Sequence, residues 1–374
     1  MRFHCLGIPH AISNDSYISC AYTQKVVKFC KMMFERGYTV YHYGHEHSSV
    51  TCTEHVTVVT DELFKKYYGY DHRNRLFDVS CDTEVYRVFH ENSVKEINKR
   101  KKSNDFVLAF WGIGVKPVCD QLTDVIVVEP GIGYTCETFA RFKIYESYAV
   151  MNTSLALHHP KTVISCDFYN VVIPNYFDSC DFIYTPEHKK DDFFLFIGRL
   201  VPDKGVYIAI DLANKLKIKL KVAGQGNIEG INSEYVEFIG YLDKESRKEM
   251  LSRAKCAILP SLYNEPFGGV QIECLLSGTP TITTDFGAFT ENNIHGLTGY
   301  RCSTFGQFTW AVQNIHKIKS ATCRKWGEKF LLENVAPMYE EYFQNVMNIY
   351  TGDGWYTNKD PASVDWMNTV SLIQ

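Results

Sequence analysis

Glu265-Pro266-Phe267-Gly268-Gly269-Val270-Gln271-Ile272-Glu273 decides how the second half of this chain is read. Ala257–Leu259 before it and Thr281–Thr284 after it are short apolar or β-branched runs that read as strands, so the stretch opens the helix of a parallel β-α-β unit. The spacing predicts a helical start at Pro266, whose missing N–H costs nothing in a first turn. Gly268 and Gly269 have no side chains and leave the first-turn amides open to a ligand. Those amides and the helix dipole favour an anion. In one continuous helix Glu265 and Glu273 stand roughly 12 Å apart along the axis. The paired carboxylates of a glycosidase lie within about 5–9.5 Å of each other. The wider spacing suits an elongated ligand with hydroxyl-rich groups at both ends and phosphates between, which is the shape of a nucleotide sugar.

The same alternation extends in both directions. Phe193–Ile197, Leu220–Ala223 and Val236–Ile239 read as strands, Val206–Leu216 and Lys244–Arg253 as helices, with further helices near 305–317 and 321–348. The first half opens with a strand over 2–8, a helix over 20–36 ended by Gly37, and a strand over Tyr38–Tyr43. Val56–Val59, Phe106–Phe110, Val125–Val128 and Thr162–Cys166 read as further buried strands. Continuous apolar strands alternating with helices imply parallel sheets covered on both faces. Pro186 and the charged run Glu187–Asp192 interrupt the pattern and mark a boundary near 179–191. Phe-Ile-Gly-x-Leu occurs at 196–200 and again at 238–242. Nothing else repeats between the copies, so they read as two similar strand ends. The aromatic residues of 351–374 predict a tail that packs back on the surface.

Length and composition narrow the class. A chain of 374 residues predicts two domains. With 45% hydrophobic and 22% charged residues it has the make-up of an ordinary globular protein. A net charge of −4 argues against a general nucleic-acid binder. Thirteen cysteines without a Cys-x-x-Cys pair suit free thiols in a reducing compartment rather than a zinc ribbon or a disulfide framework. No apolar run approaches the ~18 residues of a spanning helix. His4, Pro9 and His10 interrupt any signal-like apolar region. A cytoplasmic enzyme is the expectation.

Three other loops follow strands, where open α/β sheets place their ligands. In Gly198–Gly205, Arg199 offers a forked guanidinium and Lys204 a compact ammonium, a pair able to neutralise a diphosphate. Ala223-Gly224-Gln225-Gly226 is a turn on which a flat ring could lie. Asp285–Glu291, with His295–Gly299 behind it, contains Gly287 and Ala288 at another helix start. Read singly, solvated charges and turn glycines explain each loop as well as a ligand does.

Taken together and in order, Gly198–Gly205, Gly224–Gly226, Phe238–Leu242, Glu265–Glu273 and Gly287–Gly299 resemble the C-terminal half of the family 4 retaining glycosyltransferases of GT-B fold. The resemblance covers roughly 193–348. It implies two Rossmann-like doubly wound domains facing a central cleft, with a C-terminal helix crossing back to the first. The boundaries so expected are 1–185 for the acceptor-side domain, 186–345 for the nucleotide-sugar domain and 346–374 for the tail. Val172–Asp178 is similar to the stretch that closes the family's first domain. Residues 129–148 resemble members from phages and large DNA viruses.

The resemblance implies roles. Arg199 and Lys204 hold and stabilise the donor diphosphate, and Glu265 contacts the donor sugar. Gly268 and Gly269, with Phe267 beside them, form the sugar–phosphate region. Glu273 binds the ribose hydroxyls. The base lies near Gly224, Gly226, Tyr241 and Leu242, and Gly198 is a further donor contact. The donor is a UDP- or GDP-sugar first of all, the acceptor a glycan or other hydroxyl, and no metal or cofactor is implied. The acceptor attacks from the face that the diphosphate leaves, so the anomeric configuration is retained. The first domain departs from the family, with Gly7-Ile8-Pro9-His10 for a glycine-rich loop and Glu129–Tyr134 where a His-Asp is common. His10, Glu129 and Tyr134 are its candidate acceptor-side contacts. A nicotinamide dehydrogenase is disfavoured because Gly112-x-Gly114, Gly131-x-Gly133 and Gly224-x-Gly226 each lack the third small residue. A nucleotide-sugar epimerase of the same architecture, or an inactive nucleotide-sugar-binding protein, is the alternative.

Overall fold

The computed structural model describes all residues except 19, 71–79, 135, 159–167, 229, 231 and 353–374. In chain order the strands and helices of the first half are β1 (Arg2–Leu6), α1 (Ala21–Glu35), β2 (Thr39–His45), β3 (Glu54–Val59), α2 (Asp61–Tyr67), α3 (Glu84–Arg100), β4 (Asp105–Leu108), α4 (Lys116–Cys119), β5 (Val125–Ile132), β6 (Phe142–Tyr145), α5 (Tyr148–His158) and β7 (Asn170–Val172). The second half follows with β8 (Phe194–Ile197), α6 (Val206–Leu216), β9 (Leu220–Ala223), β10 (Val236–Gly240), α7 (Lys244–Arg253), β11 (Cys256–Leu259), α8 (Gly269–Leu276), β12 (Thr281–Thr284), α9 (Phe289–Asn292), β13 (Gly299–Cys302), α10 (Phe305–Asn314), α11 (Ser320–Gly327) and α12 (Leu332–Thr351).

These strands form two sheets. The first has the order β3-β2-β1-β4-β5-β6-β7, the second β10-β9-β8-β11-β12-β13. Every pairing is parallel. β4 and β8 are buried at every position, as strands covered on both faces must be. α6 buries Val206, Ala209, Ile210 and Ala213 at helical spacing and stops at Lys217, which is left-handed at φ 53°. Asp243 caps α7 by accepting from the Ser246 amide, and Thr304 with Gln307 forms a capping box on α10.

The last helix returns to the first sheet. The Phe343 ring lies 4.8 Å from Phe3 and 4.9 Å from Phe106. Tyr342 donates to the Tyr169 carbonyl at 2.8 Å, and Glu340 receives the Arg36 guanidinium. The helical run expected over 321–348 is two helices. Between them Leu331 is extended and makes a bridge with Phe177, and this backbone pairing breaks the helix. The expected strand over 162–166 and the tail beyond 352 lie outside the described residues. β6 and β7 were not anticipated as strands. They are only 4 and 3 residues long, and their pairing with β5 completes them.

Several histidines are built into the first sheet. His42 contacts His55 Nδ1 at 2.9 Å and Ser13 Oγ at 3.0 Å, and His45 accepts from the His47 amide at 2.9 Å. Burial lowers the pKa of His42 to about 3 and of His45 to about 4. Both stay neutral in the folded chain while the unfolded chain takes up protons below about pH 6.5. Stability from this source is therefore complete above pH 6.5 and falls as pH drops towards the folded values. The unfolding free energy from urea titration should fall between pH 7 and 5, by up to about 2 kcal/mol per histidine at pH 5. His42→Asn should flatten that slope, and an unchanged slope would contradict the assignment.

Candidate functional site

β8 and β11 are neighbours from which the second sheet winds in opposite directions, so the loops after them flank a crevice at their C-terminal ends. Lys204 comes from the loop after β8 and Glu265 from the loop after β11. The Lys204 ammonium lies 2.6 Å from Glu265 Oε1 and donates to the Tyr263 hydroxyl at 2.8 Å. Tyr263 donates in turn to Glu265 Oε2 at 2.7 Å, and Ser261 to Oε1 at 2.6 Å. Glu265 is 6% exposed. Three donors are what allow an ionised carboxylate to be buried there. A cavity of about 50 Å³ opens beside this cluster, bordered by Lys204, Ser261 and Glu265 and by Gly268, Gly269 and Val270 at the start of α8. Arg199 is exposed on the Lys204 loop.

The helix containing Glu273 starts later than the spacing predicts. Gly268, at φ 78°, is the residue before the helix, and α8 begins at Gly269. Pro266 and Glu265 therefore belong to the loop, and the axial 12 Å estimate does not describe them. A side chain at Gly268 would also meet the Phe289 ring at 2.7 Å. Glu273, one turn into the helix, is paired with Arg247 of α7, whose Nε donates to Oε2 at 2.8 Å. Gly224, at φ 149°, is dictated by the backbone: a Cβ there would stand 1.6 Å from the Gly198 carbonyl oxygen. That contact clamps the turn after β9 against the exit of β8. Tyr241 and Leu242 follow β10 and are half-buried. Phe267 is not in the cavity: it is 2% exposed and packs against Phe177 and Phe330.

The first half meets this site through the ends of β5 and β6. Ser147 donates to the Pro266 carbonyl at 2.5 Å, and Asn264 to Thr153 Oγ1 at 2.8 Å. The Glu291 carboxylate accepts the Tyr148 and Ala149 amides at 2.9 and 2.7 Å, so a side chain of the second half caps α5 of the first. Gly133 leaves no room for a side chain, since a Cβ would strike Glu146 at 1.6 Å and approach Pro266 at 3.2 Å. Lys25, on the buried stripe of α1, pairs with Glu146 at 2.9 Å and donates to the Gly131 carbonyl at 2.8 Å.

Of the three acceptor-side candidates, Glu129 and Tyr134 contact each other and His10 contacts Tyr86 instead. Glu129 is fully buried and accepts the Tyr134 hydroxyl and the Phe139 and Ala140 amides. Burial raises its pKa against those hydrogen bonds. Tyr134 is thereby pinned by Glu129. His10 is 2% exposed, with Nδ1 2.8 Å from the Tyr86 hydroxyl and its ring edge-on to Trp111. The residues that sequence reasoning missed are Ser261, Tyr263, Arg247, Lys25, Glu146 and Glu291. Lys25 alone left a signal, a charge on the apolar stripe of Val26, Phe29 and Met33.

Two parallel Rossmann-like sheets facing one cleft, with a terminal helix crossing back, define the GT-B architecture. Similar solved structures share it. A glycosyltransferase involved in avilamycin A biosynthesis superposes with a TM-score of 0.62 at 17% identity, covering 93% of this chain and 98% of that one. Anabaena HepE in complex with UDP-glucose gives 0.64 at 12% identity, covering 92% and 99%. Residues 182–329 match the family of glycosyl transferases group 1. A glycogen synthase of Mycobacterium tuberculosis is 37% identical over 123 residues, 29% of this chain and 30% of that protein. The chain thus matches about a third of that relative's length. The likeness of 129–148 to phage and viral members finds no support in these comparisons.

Proposed function

We propose that this chain is a retaining glycosyltransferase that moves a hexose-type sugar from a nucleotide-diphosphate sugar to a glycan or another hydroxyl acceptor. The observation that carries this reading is Lys204 held against Glu265 beside the open amides of α8, in a chain half that matches the glycosyl transferases group 1 family. An ammonium and helix-start amides suit a diphosphate leaving group. A carboxylate next to them suits the hydroxyls of the donor sugar. Glu273, aligned by Arg247, suits the ribose. The acceptor hydroxyl then attacks on the face from which the diphosphate departs, and a phosphate oxygen takes its proton. Catalysis on this reading is positioning and charge stabilisation without a metal. HepE, whose structure contains UDP-glucose, supports a UDP-sugar as the first donor to test.

Donor hydrolysis measured over UDP-, GDP- and ADP-sugars tests the reading and identifies the base. Absence of turnover and of binding with every donor would sink it. Glu273→Gln should weaken nucleoside diphosphate binding by about tenfold, the loss of one charge-assisted hydrogen-bond acceptor. Calorimetry reads that affinity, and a wild-type value would detach Glu273 from the ribose.

A further inference from the structure

A second hollow, of about 470 Å³, adjoins the Glu265 cavity at the C-terminal ends of β11, β12 and β13. Ser261 lies in the wall of both. Three large apolar side chains stand open on its rim: Leu262 is 58% exposed, Phe286 51% and Phe305 37%. Thr284, Asp285 and Ser303 supply polar groups between them, and among the described residues no lysine or arginine lines the wall. Arg301 answers the Asp285 carboxylate at 3.3 Å, and the Lys215 ammonium lies 5.2 Å from the Phe305 ring.

Strand order limits what can reach this hollow. β12 and β13 lie on one side of β11, while β8, β9 and β10 lie on the other. The loop of Lys204 follows β8 and the Gly224 turn follows β9. A donor with its sugar at Glu265 therefore extends its phosphates and base away from the hollow. We propose that the hollow is a saccharide subsite for the acceptor, holding a sugar ring beyond the one transferred. The proposal rests on reading Glu265 as the sugar end of the donor site. A neutral sugar ring fits the wall, because its C–H faces lie on aromatic and aliphatic side chains while its hydroxyls meet short polar groups. A wall without cations gives an anionic ligand no partner.

The test uses the full chain, a printed array of neutral oligosaccharides, and calorimetry with UDP, GDP and ADP. Wild type should retain a subset of the saccharides. Phe286→Ala and Leu262→Ala should bind that subset about tenfold more weakly, with nucleotide affinity unchanged. Both side chains are exposed, so neither change opens the core. Equal saccharide affinity in both variants overturns the subsite. So does a wild-type protein that binds a nucleoside diphosphate but no saccharide. A wild-type protein that binds none of the three nucleotides overturns the donor reading itself, and the subsite with it.

Discussion

Lys204→Ala should lower turnover by about 10²–10³ while leaving the fold intact. The ammonium is half-buried at the mouth of the α8 cavity, 2.6 Å from Glu265 and 2.8 Å from Tyr263. On the proposed chemistry, negative charge grows on the diphosphate as the sugar leaves it. A fixed cation there contributes more to the transition state than to the bound donor, so its loss reaches kcat and not only KM. Lys204→Arg should restore little, because a planar fork does not occupy the place of a point charge between a carboxylate and a phenol. Steady-state rates at saturating donor give the result, and thermal melting checks the fold. Turnover near wild type would remove the role assigned to Lys204.

Phe343→Ala should cost about 3–5 kcal/mol of stability. The ring is fully buried against Phe3, Phe29 and Phe106, on a helix that follows the second sheet in the chain but lies on the first. Truncation leaves a cavity among rings that cannot collapse without moving strands. Urea unfolding measures the loss. A change below about 1 kcal/mol would mean that α12 does not hold the first sheet in solution.

Much of the second half was legible because its signals are local. α6, α7, β9 and β12 have the bounds that their apolar periodicity and caps imply. The helix after Pro266 was displaced because the sequence does not reveal that Gly268 turns left-handed against Phe289. Glu265 and Lys204 were singled out for neighbouring parts of one ligand, and the fold brings them into contact through a link with Tyr263 and Ser261 that was not foreseen. Arg247–Glu273 and Lys25–Glu146 pair across 26 and 121 positions, and no periodicity encodes such contacts. Glu129 was a candidate because its segment stands where a His-Asp is common in the resembled family. Only the fold shows three donors converging on it.

Two chain segments join the halves of the molecule, and they cross side by side. The Phe177 amide donates to the Phe330 carbonyl at 2.8 Å, and the Leu332 amide to the Phe177 carbonyl at 2.9 Å. Crossings set far apart would brace the halves like a welded frame. Crossings stitched together at one place act as a single pin, which fixes a point and leaves rotation about it free. Opening of the cleft then requires only that contacts away from the pin let go. The Glu291 cap on α5 and the Asn264–Thr153 bond are of that kind. Rotation about that pin would open the cleft without unravelling either sheet.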